Sequence, residues 1–365
     1  MLNKHDRLGG IQYIALISST IMGVIAISLP NIAIESAHEG ALLSTLMAGI
    51  LATIFAVIMN ILGNLFPKKT IVEYLVTLLG KSLGKLLGLI LIIYFLSTTA
   101  LILRVFSDAL KGLVLLHTPL EVIMISMLLT AVYLCLNGIN GIAKLSELFL
   151  PIIILSILLL IGLSSSNFSF VRLRPVLLPS LWQSIKSIPN LSSAFLGYEI
   201  ILMVTPFIAR KKANIPNTLI GIGIPTVIYT LLVIMAIGAF GLKPTQQMNY
   251  PTITLARKIN FPGAFAERFD IFFVLLWILA AFTSVANYFY MASLSLVRLV
   301  TLRNYQPFVY FLAPIVYMLA ILPQDLPEIK MVNTYIGYLG LSISILAAIL
   351  LILVLISGKK EHENG

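Results

Sequence analysis

Glu199 is the residue of this sequence best placed to do chemistry, because the run that holds it, Phe195-Leu196-Gly197-Tyr198-Glu199-Ile200-Ile201, is otherwise almost wholly apolar. An acidic side chain at the centre of a membrane helix costs roughly 2.5–3.5 kcal/mol on insertion scales, so it needs a role or a partner. A carboxylate there can receive a cation, an ammonium or a proton; the alternative is a structural hydrogen bond to a neighbouring span. Gly197 beside it, and Gly23 within Met22-Gly23-Val24-Ile25, interrupt two apolar stretches that end near Pro206 and Pro30 respectively. A helix broken in mid-membrane leaves backbone N–H and C=O groups unpaired, which is tolerable only where they line a cavity or meet a ligand. Half-helix N-termini suit a ligand carboxylate and C-terminal ends suit an ammonium or a cation. The two breaks therefore predict a site for an amphoteric small molecule such as an amino acid. For Gly23 the alternative is close packing at a helix crossing.

Two other stretches carry polar atoms. Tyr94, Ser97, Thr98 and Thr99 form one group, and Trp277, Thr283, Ser284, Asn287 and Tyr288 form a stripe at helical spacing. Tyr94 and Thr98 are expected to line the cavity, and Thr283 and Ser284 to offer oxygens to a cation beside the first break, although hydroxyls in apolar surroundings also bond their own helix backbone. The candidate ligand-binding set is thus Met22, Gly23, Val24, Ile25, Tyr94, Thr98, Phe195, Gly197, Tyr198, Glu199, Thr283 and Ser284. Arg104 and Asp108 are spaced for a structural i, i+4 ion pair.

Catalysis is not expected. His5, His38, His117 and His362 fall at termini or span ends, and there is no HExxH motif, nucleophile elbow or phosphate-binding loop. The single Cys135 excludes an internal disulfide and a multi-cysteine metal site. No cofactor is implied.

The elements that must position these residues follow from composition. Of 365 residues, 59% are hydrophobic and 10% charged, whereas a soluble domain carries about 25% charged residues. The mean hydropathy is +1.03. A membrane helix needs roughly 20 apolar residues. About ten such stretches lie near 11–33, 41–65, 86–114, 119–136, 142–163, 191–209, 217–240, 268–297, 307–322 and 332–357. The class is an all-α membrane protein, a single transmembrane domain over 1–365 whose partner is the lipid bilayer. The first stretch runs straight into the next and reads as a retained helix rather than a cleaved signal. The formal charge of +10 is spread over the loops, which orients the chain rather than binding nucleic acid. Basic clusters at Lys68 with Lys69 and at Arg210 to Lys212 favour both termini on the cytoplasmic side.

The irregular features recur. Gly23 and Pro30 in the first span are matched at a similar offset by Gly197 and Pro206 in the sixth. The amphipathic stretch Ile71, Val72, Leu75, Val76 and Leu79 after the second span is matched by Ile253, Leu255, Ala256 and Ile259, between Pro251 and Pro262, after the seventh. Because five is odd, a five-plus-five duplication enters the membrane from opposite sides, and the repeat is inverted. The halves are 1–163 and 191–365, joined by a linker, 164–190, with one short helix around Trp182 to Ile188.

At this point the chain resembles a known family, the B-type membrane subunit of nutrient germinant receptors of endospore-forming bacteria, also called spore germination permeases. The resemblance spans essentially the full chain and rests on Gly10-Ile11-Gln12 with the Gly23 to Pro30 break, on Phe195 to Ile201 with Pro206, and on Tyr250-Pro251-Thr252-Ile253 with Leu255-Ala256-Arg257. It also rests on Glu267-Arg268-Phe269-Asp270 running into Trp277 and Phe282-Thr283-Ser284. It implies a LeuT-like inverted-repeat fold of the amino acid, polyamine and organocation transporter superfamily, with broken first and sixth helices. It further implies residence in the spore inner membrane, assembly with A-type and C-type receptor subunits, and sensing of a small nutrient, commonly an amino acid, to trigger germination. A proton- or cation-coupled amino-acid transporter is the alternative, and a purely structural anchor for partner subunits a third reading. The chain departs from transporter relatives in having no lysine in the middle of the fifth span, Lys144 lying at its edge.

Overall fold

Long apolar segments become helices in lipid because only a helix satisfies every backbone N–H and C=O within the segment itself. The computed structural model describes residues 7–23, 25–177, 181–208, 214–259 and 269–357. Lys4, His5, Val24, Pro179, Arg210 to Lys212, Pro262, Glu267, Arg268 and His362 lie outside the described residues. The first span is split into α1 (Gly10–Ile21) and α2 (Leu29–Ala37). The second is α3 (Ala41–Leu65), followed by the short α4 (Ile71–Leu79). The third, fourth and fifth are α5 (Lys81–Leu113), α6 (Leu120–Leu136) and α7 (Gly138–Leu163). In the connection between halves lie α8 (Arg174–Leu177) and α9 (Leu181–Lys186). The sixth span joins α10 (Ile188–Ser192) and α11 (Ile201–Val204) through single 3-10 turns. Then come α12 (Asn214–Phe240), the short α13 (Leu242–Gln247) and α14 (Pro251–Arg257), α15 (Phe269–Leu299), α16 (Gln306–Ile321) and α17 (Leu326–Ser357).

Among the described residues six helices are long and apolar enough to cross a membrane alone, and the pair Ile188–Phe195 and Tyr198–Phe207, bent by 60°, makes a seventh. The shorter apolar helices α1, α6 and α16 complete the expected ten. Two local expectations change. Pro30 does not end the first span; it sits in the opening turn of α2, where its missing N–H has no intrahelical partner to lose, and the helix continues to Ala37. The linker holds more than one short helix, since 3-10 turns at Ser164–Asn167 and Phe170–Leu173 and the helix α8 precede α9. The stretch after the second span does form a helix: Thr70 and Glu73 close a capping box at its start, and Gly80, with φ of +84°, ends it in a conformation that favours glycine.

The broken first span lies at the centre, with α1 packed on α7, α12 and α15, while α15 also packs on α5. At one end the breaks are tied shut. Leu8 N donates to Phe207 O at 2.8 Å, linking the segment before α1 to the end of the sixth span. Asn60 Nδ2 donates to Tyr13 Oη (3.1 Å) and Thr218 Oγ1 (2.9 Å), joining α3, α1 and α12 in a buried polar knot.

Candidate functional site

The first break begins where α1 gives way at Met22 and Gly23, and its carbonyls are met by side chains from three other elements. Tyr229 Oη of α12 donates to Ile21 O at 2.6 Å, and Trp277 Nε1 of α15 to Gly23 O at 3.2 Å. Thr252 Oγ1 of α14 donates to Ala26 O at 2.8 Å. Ser284 Oγ lies 2.9 Å from Ser19 O and 3.1 Å from Thr20 O, and Asn287 Nδ2 donates to Thr20 Oγ1 at 2.6 Å. A Cβ on Gly23 would run into the Ser284 side chain. The close packing and the break are therefore features of the same residue.

The second break turns at Gly197, whose φ of +133° is the left-handed side of conformational space. A Cβ there would stand 2.8 Å from Ile21 N, so the two breaks pack directly on each other. Just beyond it, Glu199 folds back: Oε2 accepts from Gly197 N at 2.8 Å, and Oε1 accepts from Tyr94 Oη at 2.5 Å and Tyr288 Oη at 2.7 Å. The carboxylate is buried, and it occupies the N-terminus of the second half-helix, where partial positive charge favours an anion. Tyr198 shares a 2.9 Å hydrogen bond with Ser344 of α17, and the bare Gly340 of α17 makes room for Leu196 and for the Tyr94 hydroxyl.

Beside the breaks lies a cavity of about 520 Å³, whose lining extends to the partly exposed Glu35 and Lys330. Thr20, Ile21, Gly23, Ile25, Thr98 and Tyr288 line it around the breaks; Leu101, Ile102, Val105, Leu196, Ile329 and Ile336 supply apolar wall. Of the sequence-derived set, Gly23, Ile25 and Thr98 line this space. Tyr94, Gly197 and Glu199 form a cluster that touches the cavity through the Tyr288 that it holds. Met22, Phe195, Tyr198, Thr283 and Ser284 are buried outside the lining. Phe195 stacks edge-on against Tyr229, and Thr283 donates to Ala280 O of its own helix at 2.9 Å. Val24 lies outside the described residues. Sequence reasoning did not select Thr20, Leu196 or the α17 residues; the spaced Gly337 and Gly340 were the only sign that α17 approaches the breaks closely.

Comparison with known proteins places this architecture. Residues 7–329 match the family described as spore germination protein. The chain belongs to that family. Among its relatives, spore germination protein A2 of Bacillus subtilis (strain 168) is 29% identical, over 72% of this chain and 71% of the relative. Spore germination protein B2 of the same organism is 26% identical over 93% and 92%. Spore germination protein GerLB of Bacillus cereus is 26% identical over 76% and 74%. Among solved structures, MhsT in complex with L-phenylalanine superposes with a TM-score of 0.72 at 13% identity, covering 98% of this chain and all (100%) of that one. A mutant of the Eremococcus coleocola manganese transporter gives 0.72 at 14% identity, over 96% and 81%. At these identities the structures establish the fold alone: LeuT-like, with five-plus-five inverted topology. This spore germination protein is a multi-pass membrane subunit of the germinant-receptor kind, and that family is not an enzyme family.

Proposed function

We propose that the protein is the nutrient-sensing membrane subunit of a receptor in the spore inner membrane, that an amino acid is its nutrient, and that A-type and C-type subunits are its partners. The observation that carries this reading is the cavity of about 520 Å³ enclosed by α2, α5, the sixth span, α15 and α17, with both helix breaks beside it. Its size falls in the range of roughly 300–1,000 Å³ typical of small-molecule sites, with apolar walls and a few convergent polar groups. The side-chain oxygens of Thr20, Asn31, Thr98 and Tyr288, whose donors are given to Leu16 O, Gln246 O, Tyr94 O and Glu199, can accept from a ligand ammonium, and the aliphatic wall takes its side chain.

The cation-coupled transporter reading asks more of the first break. Its carbonyls would have to be available to an ion, and Tyr229, Trp277, Thr252 and Ser284 already donate to them. Sensing without a coupling ion needs no rearrangement of those bonds.

The test is direct binding of the twenty amino acids to purified protein, with Val105→Trp as the cavity-filling variant. At least one should bind the parent and lose tenfold or more in affinity, about 1.4 kcal/mol, in a variant of equal thermal stability. Equal affinity in both proteins refutes the site. Sodium-driven uptake into proteoliposomes would reinstate the transporter.

A further inference from the structure

Among the described residues that line the cavity, only two carry charge, and they face each other across its mouth: Glu35, near the end of α2, and Lys330, near the start of α17. Lys330 Nζ lies 3.1 Å from Glu35 Oε1 and 3.4 Å from Oε2. Their side chains are 45% and 54% exposed, and an ion pair that wet adds little to stability. Its position is more informative than its strength. α2 is the outer half of the broken first span and α17 is the tenth, so the pair bridges the gap between the two elements directly above the cavity.

Beneath the pair the lining is uncharged. Outside the lining, Arg104 is engaged with Asp108 at 3.4 Å and with Gln324 O at 3.3 Å, Glu199 with two tyrosines and Gly197 N, and, at the start of α17, Asp325 and Glu328 accept from the Glu328 and Gln324 backbone N–H groups. A narrow cleft with low-dielectric walls focuses the field of the charges on its lining, and among the described lining residues those charges, Glu35 and Lys330, sum to zero. A solute bearing one ammonium and one carboxylate can insert into the pair, the carboxylate meeting Lys330 and the ammonium meeting Glu35, with no charge left over. A solute with a third charge leaves it without a counter-ion against an uncharged wall, where desolvation is costly.

We propose that Glu35 and Lys330 form a charge-balanced selectivity pair, which admits solutes of zero net charge, zwitterions above all, and turns away those with a net charge of either sign. This rests on the cavity being the nutrient site, and it narrows the nutrient to amino acids whose side chains are not ionised. Either partner alone would impose its own sign.

The pair can be tested apart from any nutrient. A Thr98→Cys reporter in the cavity, in a Cys135→Ala background, is reacted with methanethiosulfonates bearing an ammonium or a sulfonate, and the two rates are scaled to those with a free thiol. Lys330→Gln should raise the ammonium-to-sulfonate rate ratio on the order of tenfold, the low end for a charge-lined cleft. Glu35→Gln should lower it by a similar factor, and the double variant should return it to the parent value. A ratio unmoved by either single variant, or a reporter that reacts with neither reagent in any variant, overturns the proposal. In a second arm, binding of each of the twenty amino acids, L-leucine, L-lysine and L-glutamate among them, is measured on proteins that keep Thr98 and Cys135 and carry only the Glu35 and Lys330 changes. Leucine binding to the parent, with lysine gaining on glutamate in Lys330→Gln, supports both the pair and the site. If the labelling ratios move while none of the twenty amino acids binds any variant, the selectivity pair stands and the amino-acid reading of the cavity falls.

Discussion

Glu199→Gln replaces one carboxylate oxygen with NH₂ in a buried polar cluster, and its cost can be worked from the hydrogen bonds. The carboxylate accepts from three donors, Tyr94 Oη, Tyr288 Oη and Gly197 N, and donates to none. Glutamine in the same rotamer keeps both tyrosines on its carbonyl oxygen but points its NH₂ at the Gly197 N–H, donor against donor. Flipping the amide moves the conflict to the tyrosines. One buried donor left unpaired costs about 1–3 kcal/mol, and loss of the negative charge from the half-helix N-terminus adds roughly 0.3–2 kcal/mol. Together these predict a loss of about 1–5 kcal/mol of stability. The assay is thermal unfolding of purified protein in detergent, run beside amino-acid binding. The midpoint should fall and the amount of folded protein should drop, while the affinity of what remains is unchanged, because Tyr288 stands between Glu199 and the cavity. Tyr288→Phe, which keeps the ring and removes one donor, should fall between the two proteins in stability. Normal stability combined with a tenfold loss of affinity in Glu199→Gln would refute the reasoning and put the carboxylate on the ligand.

Two further outcomes are expected. Gly197→Ala places a Cβ 2.8 Å from Ile21 N at a φ of +133°, which costs on the order of 1–3 kcal/mol in backbone strain alone; size-exclusion chromatography should show less monodisperse protein than Gly112→Ala, whose Cβ would meet nothing within 4 Å. With both termini cytoplasmic, single cysteines replacing the exposed Arg303 and Gln247, in a Cys135→Ala background, label from opposite faces of the membrane, and labelling from the same face contradicts that topology.

The ten spans were legible because lipid leaves an apolar chain a single way to satisfy its backbone. The breaks were legible for the converse reason: Gly23 and Gly197 are conspicuous inside stretches that would otherwise be continuous helix. Pro30 misled because a proline that ends one helix and one that starts the next look alike in sequence, and only the backbone of α2 distinguishes them. Glu199, Tyr94 and Tyr288 were each visible as polar residues in apolar runs. Their convergence was not, because it depends on the contact of the sixth span with α5 and α15, which no local pattern encodes. The part of the cavity wall supplied by α17 was the least visible, since Ile329 and Ile336 are indistinguishable by type from residues that face lipid.

A receptor has to be stable without its ligand, and the hydrogen bonds at the breaks meet that requirement. In a continuous helix the backbone closes its own bonds; here the carbonyls of Ile21, Gly23 and Ala26 depend on Tyr229, Trp277 and Thr252, and the Gly197 N–H depends on Glu199. The nutrient is therefore not needed to hold the breaks together. Its effect must come from binding one arrangement of the spans better than another, and only that difference can shift the population. Moving a receptor from 1:99 to 99:1 takes a preference of about 5.5 kcal/mol. The best small ligands gain up to about 1.5 kcal/mol per non-hydrogen atom, so a few atoms that lose their seat in the unfavoured state suffice. The cavity is lined by both α2 and α17, the two elements joined by the weak Glu35–Lys330 pair, so a ligand bound there as proposed would meet both. On the proposed reading, a zwitterion that traded ions with that pair would replace one exposed contact with two, a gain open only to an arrangement in which α2 and α17 stand close enough to share the ligand.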